Sequence, residues 1–454
     1  MNFLSRRRFL QLGSLAVASK AITPYAFADN KPSDDTSVIF LWLPGGPPHM
    51  ETYDMKPDAP VEYRGDFKPI HTNVPGLDVC EHMPLHAQTA HRYSLIRSIH
   101  HTFSDHGGGH KKFLTARDPF QPTGFVNDYP MVGSMVAKVR QGRAAVPDYV
   151  AGTDPGRSGI DVFSFGSAYL GPSTHPFSVP GDPSSPKFTV RNLDAPPDRL
   201  ALLNDRLKLL GGLDRDVPGL PKSAGAAAEH RQTALRLMNS EATRIAFDLT
   251  RESPRLRERY GLHAWGQRCL MARRLVEAGA SFVTMVLENP YQSGIPYLKD
   301  GTYNWDSHAV NCHIFNDTKF RLPIFDRAVT ALINDLHDRG LNKKVLLVVT
   351  GEFGRTPRIS YSTGTQTGVK QPGRDHWPQA MSVLVSGGGL KMGQVVGSTN
   401  ARGEHPKDRP LKVGDLWATV FTHLGIDYEH TSFLDHTGRP IPMLPEGKPI
   451  AELM

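Results

Sequence analysis

The segment from Ser98 to Arg117 has the composition of a reactive site rather than of a solvated loop. It reads SIHHTFSDHGGGHKKFLTAR and contains Asp105, the glycines Gly107, Gly108 and Gly109, and four histidines, His100, His101, His106 and His110. Imidazoles bind metals and transfer protons near neutral pH. Consecutive glycines before a helix expose backbone N–H groups, which bind phosphate or sulfate oxygens. The segment therefore predicts metal-assisted chemistry on an anion.

Four further segments carry acids, imidazoles or arginines where a strand is predicted to end or to begin. Their candidate residues are His49 and Glu51, then Asp306 and His308, then Glu352 and Arg355, and finally Arg374 and His376. Ligands of parallel α/β sheets bind at the carboxyl ends of the strands. We therefore expect the five segments to meet at one edge of the sheet.

The residue types favour a divalent cation with an anionic substrate. Carboxylate and imidazole ligands suit Zn²⁺ or Mn²⁺, and oxygen-rich subsets suit Ca²⁺ or Mg²⁺. Arg355 or Arg374 could bind the anion in a bidentate manner. Each residue alone also has an ordinary interpretation: a locally bonded loop histidine, a helix cap at Asp306 or Glu352, a hinge at the glycines, or a surface arginine.

The predicted elements that must position these residues alternate between helix and strand. Buried strands are predicted at 37–46, 93–99, 281–287, 343–349 and 379–389, and helices at 200–210, 226–250, 264–278, 322–340 and 411–424. The Pro- and Gly-rich stretch from Gln141 to Pro196 is interpreted as long surface loops beside a substrate cleft. This order predicts an α/β fold with a mostly parallel central sheet and helices on both faces.

The N-terminus has the pattern of a targeting segment. Ser5 to Gln11 reads SRRRFLQ, a weakly apolar stretch follows, and Ala26, Phe27 and Ala28 form a small-x-small cleavage site. The segment 1–28 resembles a twin-arginine signal peptide, which predicts export by that machinery and a periplasmic or otherwise exported mature domain at 29–454.

Charge, cysteine content and hydropathy exclude several classes of protein. The net charge of +7 falls to about +3 without the four cations of residues 1–28, so it is no argument for nucleic-acid binding. The three cysteines, Cys80, Cys269 and Cys312, are too far apart for a thiolate metal cage. No stretch of about 18 uncharged apolar residues predicts a stable membrane span.

Six motifs carry a resemblance to a known family: LPGGPPHMETYD, SDHGGGHKKFLTAR, YNWDSH, VVTGEFGRTP, GRDHW and SGGGLKMGQVVGSTN. They resemble an exported family within the alkaline phosphatase/sulfatase superfamily, known as domain of unknown function 1501. The resemblance extends over nearly the whole mature chain. It implies an alkaline phosphatase-like, sulfatase-like fold with a metal at the strand ends.

The resemblance also implies roles for individual residues. HGGGHKKFLTAR matches the register of the sulfatase nucleophile motif, with His106 in the position of the residue that becomes formylglycine, so that mechanism is absent here. Asp306, His308 and His376 resemble the ligands of one metal, and His49, Glu51, His106 and Glu352 could form a second site. His106 is a ligand or a nucleophile, His110 or His101 is a general acid, and Thr102, Ser104 and Thr115 remain alternative nucleophiles.

Two functions follow from these residues. The first is an exported metal-dependent hydrolase of phosphate or sulfate esters, acting on a small molecule or a polysaccharide. The second is a catalytically inactive relative that binds an anionic glycan or a partner protein, which the missing nucleophile favours.

Overall fold

A mixed sheet of nine strands runs through the described part of the chain. The structure is a computed structural model that describes residues 35–142, 146–154, 165–191 and 240–454, together with residues 193, 202, 205, 206 and 209. Residues Asp35–Met454 form one compact unit. The predicted signal peptide, seven of the eleven residues of the predicted helix at 200–210, and residues 226–239 of the predicted helix at 226–250 lie outside the described residues. The boundary at residue 28 therefore stays a prediction.

Eight of the strands follow one another across the sheet in the order β8-β2-β7-β6-β1-β5-β3-β4, and β9 pairs separately with β2. Every pairing in this sheet is parallel except those of β7, which is antiparallel to both β2 and β6. The strands are β1 (Ser37–Trp42), β2 (Ser94–His100), β3 (Tyr149–Thr153), β4 (Phe177–Pro180), β5 (Phe282–Val286), β6 (Val345–Thr350), β7 (Met381–Gly387), β8 (Val395–Val396) and β9 (Leu411–Lys412).

Helices cover both faces of the sheet. They are α1 (Val61–Arg64), α2 (Pro84–Thr89), α3 (His106–Thr115), α4 (Val132–Arg140), α5 (Glu241–Phe247), α6 (Pro254–Tyr260), α7 (Ala264–Glu277), α8 (Ile314–Asp338) and α9 (Val413–His423). Short two-stranded pairs lie outside the sheet, joining 69–71 to 78–80, 354–355 to 376–377, 360–363 to 370–373, 398–399 to 406–408 and 432–434 to 440–442.

Side chains alternate between two hydrophobic cores along the central strand β1. Ile39 and Leu41 pack in the core under α2, α7 and α8. Phe40 and Trp42 pack in the core under α3, α4 and α9. Since every residue of β1 is buried, the strand reads as a continuous apolar run, as expected for a strand covered on both faces. The predicted fold class, α/β with a mostly parallel sheet and helices on both faces, is confirmed.

Several predicted boundaries differ from the structure for local reasons. The segment 37–46 is predicted to be a strand that ends in a glycine turn; the strand β1 itself ends at Trp42, and Gly45 and Gly46, with positive φ angles of 105° and 80°, turn the chain. Helix α8 begins at Ile314 rather than at residue 322, with Pro323 inside it and His313 as its N-cap. Two segments of the predicted surface loops at 141–196 instead form β3 and β4 at one edge of the sheet.

The described residues also bear on the cysteine and membrane predictions. Cys80, Cys269 and Cys312 are free, buried thiols. Within the described ranges, no helix combines the length and the hydropathy that a membrane crossing requires.

We expect the substitution Leu347→Ala in β6 to destabilise the fold strongly. Leu347 is completely buried, so its truncation leaves a cavity and should lower the free energy of unfolding by about 2–5 kcal/mol. Leu434→Ala is the matched control because Leu434 is 64% exposed, and its effect should stay within about 0.5 kcal/mol. Urea unfolding measures both, and equal effects would contradict the assignment of β6 to the core.

Candidate functional site

Four segments of the chain meet at the edge where the parallel strands end. His106 and His110 lie in α3, which follows β2, and Asp306 and His308 lie between β5 and α8. Glu352 and Arg355 follow β6. His376 precedes β7 and pairs with Arg355 in a short antiparallel ladder. Since β7 runs opposite to its neighbours, its start lies at the edge where they end.

The carboxylate of Asp306 is the centre of this cluster. The Nε2 atoms of His308 and His376 lie 3.1 and 3.2 Å from Asp306 Oδ1, and Nε2 of His106 lies 3.5 Å from Asp306 Oδ2. The two Nε2 atoms of His308 and His376 are 2.9 Å apart. Each of the three imidazoles thus directs its Nε2 atom at the Asp306 carboxylate.

A separate partner fixes the other ring nitrogen of each of these histidines. Nδ1 of His106 lies 2.8 Å from Glu352 Oε1, and Nδ1 of His308 lies 2.6 Å from Asp375 Oδ1. Nδ1 of His376 donates to the Ser104 carbonyl at 2.6 Å. Such outer partners set the tautomer and the orientation of metal-binding histidines.

The donor set fits a single divalent cation. At metal–ligand distances of about 2.0–2.2 Å, the ligands of a tetrahedral ion lie about 3.3–3.6 Å apart, close to the separations around Asp306. Three ligand atoms lie within 4.8 Å of one another in the group of His106, Asp306 and His376 and in the group of His106, His110 and Glu352. The distances given above place the ligand atoms of Asp306, His308 and His376 equally close together. His106 is common to the first two groups, and it joins the cluster around Asp306 to the buried pair His110 and Glu352.

Buried charge partners control the protonation of the two acids. Burial alone would raise the pKa of Asp306, but the bonds from His106, His308 and His376 and the charge of Arg355 hold it far below its usual range. Burial likewise opposes ionisation of Glu352, but the charge of His110 and the hydrogen bonds of His106 and His110 lower its pKa. Both acids are therefore carboxylates at neutral pH and available to cations.

The histidines differ in protonation because they compete for the same carboxylate. Burial lowers the pKa of His106, but hydrogen bonds to Asp306 and Glu352 outweigh it and raise the pKa to about 9. The same bond to Asp306 raises the pKa of His308 against burial, whereas burial dominates at His376 and lowers its pKa. A divalent cation bound at these nitrogens would displace the protons.

Arg355 is a fully buried cation beside this cluster. Its Nη2 donates to Asp306 Oδ1 at 2.7 Å, and its guanidinium also donates to the carbonyls of Gly45, Gly46 and Arg374. Gly45 in turn donates its N–H to Glu352 at 2.9 Å, and a side chain at Gly45 would collide with the backbone of Asp306. Arg355 thus fixes the loop after β1 against the site acids, and its predicted anion-binding role stays a prediction.

His49, Glu51 and Arg374 have other partners. Glu51 accepts from Arg374 at 2.6 and 3.0 Å, and both side chains are buried. His49 Nε2 lies 3.0 Å from the Gly403 carbonyl, and its Nδ1 accepts from the Arg355 N–H. Neither His49 nor Glu51 belongs to a ligand group found among the described residues. The structure does not bring these three residues into the cluster around Asp306.

The three consecutive glycines of α3 serve close packing. The Asp105 carboxylate caps the helix by accepting from the N–H groups of Gly107 and Gly108, and the Asp105 carbonyl accepts from that of Gly109. A Cβ at Gly107 or Gly108 would collide with the backbone of residues 122–124, and one at Gly109 with Phe353. Their amides therefore already have acceptors, which differs from the predicted anion cradle.

The two candidate general acids are buried. His101 uses both ring nitrogens, with Nε2 at 2.6 Å from the Glu352 carbonyl and Nδ1 accepting from the Phe103 N–H, and burial lowers its pKa to about 4. His110 lies 3.4 Å from Glu352 and packs edge-on against Trp42. Through these contacts His101 and His110 position Glu352 and the loop that follows β6.

Sequence reasoning assigned no role to Asp375 or to the Ser104 carbonyl. The Asp-His pair at 375–376 is a visible signal, although Asp375 orients His308 rather than its own neighbour. The Ser104 carbonyl has no sequence signal, because only the folded chain brings it to His376.

This geometry defines a class of protein: an α/β protein with a cluster of histidines and carboxylates at the carboxyl edge of its sheet. Residues 35–454 match the family described as protein of unknown function (DUF1501). The chain belongs to this family, which confirms the family predicted from the motifs. The comparison with curated proteins gave no match.

Solved structures similar to this chain include members of the predicted superfamily. A sulfatase from Pseudoalteromonas is 10% identical, with 87% of this chain and 69% of that chain covered and a TM-score of 0.36. A protein in the alkaline phosphatase superfamily from Vibrio parahaemolyticus is 10% identical, with 86% and 67% covered and a TM-score of 0.37. The TAB5 alkaline phosphatase is 11% identical, with 87% and 99% covered and a TM-score of 0.35. At these scores the likenesses carry no argument about the site.

We expect the metal-free protein to lose stability at high pH because of His106. Its pKa rises from 6.5 to about 9 on folding, so its stabilising effect is complete below pH 6.5 and is lost as the pH rises through 9. Thermal unfolding of EDTA-treated wild type and His106→Gln measures this effect. The difference in Tm should be larger at pH 6.0 than at pH 9.5, and an equal difference would contradict the ion pairs of His106.

Arg374→Ala should act mainly on stability, because it leaves the Glu51 carboxylate buried without its cation. We expect a loss of about 3–5 kcal/mol in the free energy of unfolding. Arg358→Ala is the control, since Arg358 is exposed. A stable Arg374→Ala protein with weakened phosphate binding would instead support the predicted role in anion binding.

Proposed function

We propose that this chain is an exported, metal-dependent hydrolase of phosphate or sulfate esters. The observation that carries the proposal is the convergence of three imidazole Nε2 atoms on the Asp306 carboxylate. The Nδ1 atom of each imidazole is fixed by a separate hydrogen-bond partner. Such pre-oriented donors are typical of a metal site. The export step rests on the signal-like sequence at 1–28.

Asp306, His308, His376 and His106 are the proposed ligands. These residues would hold a divalent ion, of which Zn²⁺ or Mn²⁺ suits the donor set best, and the ion would supply Lewis acidity toward an ester oxygen and a water molecule. In this arrangement His106 is a ligand rather than a nucleophile, because its Nδ1 faces Glu352 and its Nε2 faces Asp306.

The other polar residues hold the ligands in place. Asp375 orients His308, and Glu352 orients His106 while accepting the Gly45 N–H. Arg355 neutralises part of the charge on Asp306 and fixes the loop after β1. A rigid set of ligands lowers the reorganisation needed when charge develops on the ester.

The alternative function is an inactive relative that binds an anionic glycan or partner. It is favoured by one observation: His106, rather than Cys, Ser or Thr, occupies the position that corresponds to the sulfatase nucleophile. Turnover decides between the two functions, because both allow a bound cation.

We expect purified protein to hold about one equivalent of divalent metal. His376→Ala should remove most of it, while His430→Ala, in which the histidine lost is exposed, should retain it. Asp375→Asn should weaken metal affinity by about 10–100-fold, because it removes an outer partner, and Asp306→Asn should weaken it further. Elemental analysis and metal titration calorimetry measure these effects. Equal metal content in all variants would contradict the proposed metal site.

The metal-loaded protein should hydrolyse 4-nitrophenyl sulfate or 4-nitrophenyl phosphate, and Asp306→Asn should abolish turnover along with metal binding. Retained metal with no turnover of either ester would favour the binding protein.

A further inference from the structure

We propose that a groove beside Asp375 binds a sugar ring of the alcohol part of the ester. This inference rests on the proposed function and specifies its substrate class. The groove has a volume of about 440 Å³, within the range of about 300–1,000 Å³ for small-molecule sites. Its lining includes Tyr63, Arg358, Asp375, Trp377 and Glu404.

The groove adjoins the proposed metal site through two of its lining residues. Asp375 lines the groove and also contacts His308 at 2.6 Å. Trp377 lines it as well and directly follows His376 in the ladder that pairs with residues 354–355. A molecule whose ester lies at Asp306 therefore has its alcohol part within reach of this groove.

The aromatic residues of the groove suit the apolar face of a sugar. Trp377 is partly exposed, and its Nε1 donates to the Glu404 carbonyl at 2.7 Å, which fixes the indole orientation. The Tyr63 ring lies beneath the guanidinium of Arg402, whose carbon is 5.2 Å from the ring centre. Rigid aromatic rings offer a large contact area with little loss of conformational entropy.

The polar residues of the groove suit sugar hydroxyls better than a second anion. Asp375 and Glu404 supply carboxylate acceptors, and the exposed Arg358 supplies donors. Arg402 already lies over the Tyr63 ring, so among the lining residues only Arg358 is left to pair with an anion, and the two acids disfavour another phosphate or sulfate. A polyol can both donate to the acids and accept from the arginine. A nucleic-acid backbone is disfavoured for the same reason.

The test compares sugar esters with small aryl esters. Metal-loaded protein is assayed with galactose 4-sulfate, N-acetylglucosamine 6-sulfate and glucose 6-phosphate, and with the two 4-nitrophenyl esters. For the best sugar ester, Trp377→Ala should lower kcat/KM by about 10–100-fold, and more than for the aryl esters. Trp377→Phe, which retains a ring, should restore most of the loss, and Arg358→Ala should weaken sugar esters selectively. Phe120→Ala, which removes an aromatic ring 71% exposed elsewhere, should change nothing.

Metal content checks that each variant is folded and loaded. Aryl-ester turnover without any preference for sugar esters, or with equal losses in Trp377→Ala, overturns the groove and leaves the proposed function standing. If no ester is turned over, saturation-transfer NMR with the unesterified sugars decides. Contacts that depend on Trp377 then support the groove although the proposed function fails, and their absence overturns both.

Discussion

The site depends on one partly buried carboxylate that three imidazoles and a guanidinium share. Asp306 receives the Nε2 atoms of His106, His308 and His376 and the guanidinium of Arg355. Gathering so many donors around one acid is unfavourable unless the acid stays ionised, and they in turn keep its pKa low. Each loop is thus held by the same charge, so the positions of the loops are mutually dependent.

The direction of one strand makes this convergence possible. In an all-parallel sheet, a segment that precedes a strand lies at the opposite edge from the segments that follow the others. His376 precedes β7, and it reaches Asp306 because β7 runs antiparallel to β2 and β6. The ladder between His376 and Arg355 then aligns the His376 imidazole with the guanidinium that pairs with Asp306. The topology and the chemistry of the site are therefore coupled.

Polar residues near a site have two different uses here. Glu51 and Arg374 neutralise each other in the interior, and Arg355 ties together the backbone turns around the acids. Buried ion pairs of this kind contribute little net stability, but losing one partner is costly. In the sequence these residues look the same as ligand-binding residues, because charge neutralisation in the interior and ligand binding require the same residue types. The tilted contact of Phe353 with the rings of His106 and His376 adds an apolar wall to the polar cluster.

The sequence by itself determined the α/β class, the family and the segments that hold the site, because buried apolar runs and loop motifs are local patterns. It also brought Asp306, His308 and His376 together as one ligand set, through a resemblance. Only the tertiary structure placed the His106 imidazole beside Asp306 and gave the His49 and Glu51 side chains other partners. The reason is physical: a ligand is defined by where its ring nitrogen points. That direction depends on distant partners, such as Asp375 and the Ser104 carbonyl, and on the direction of β7.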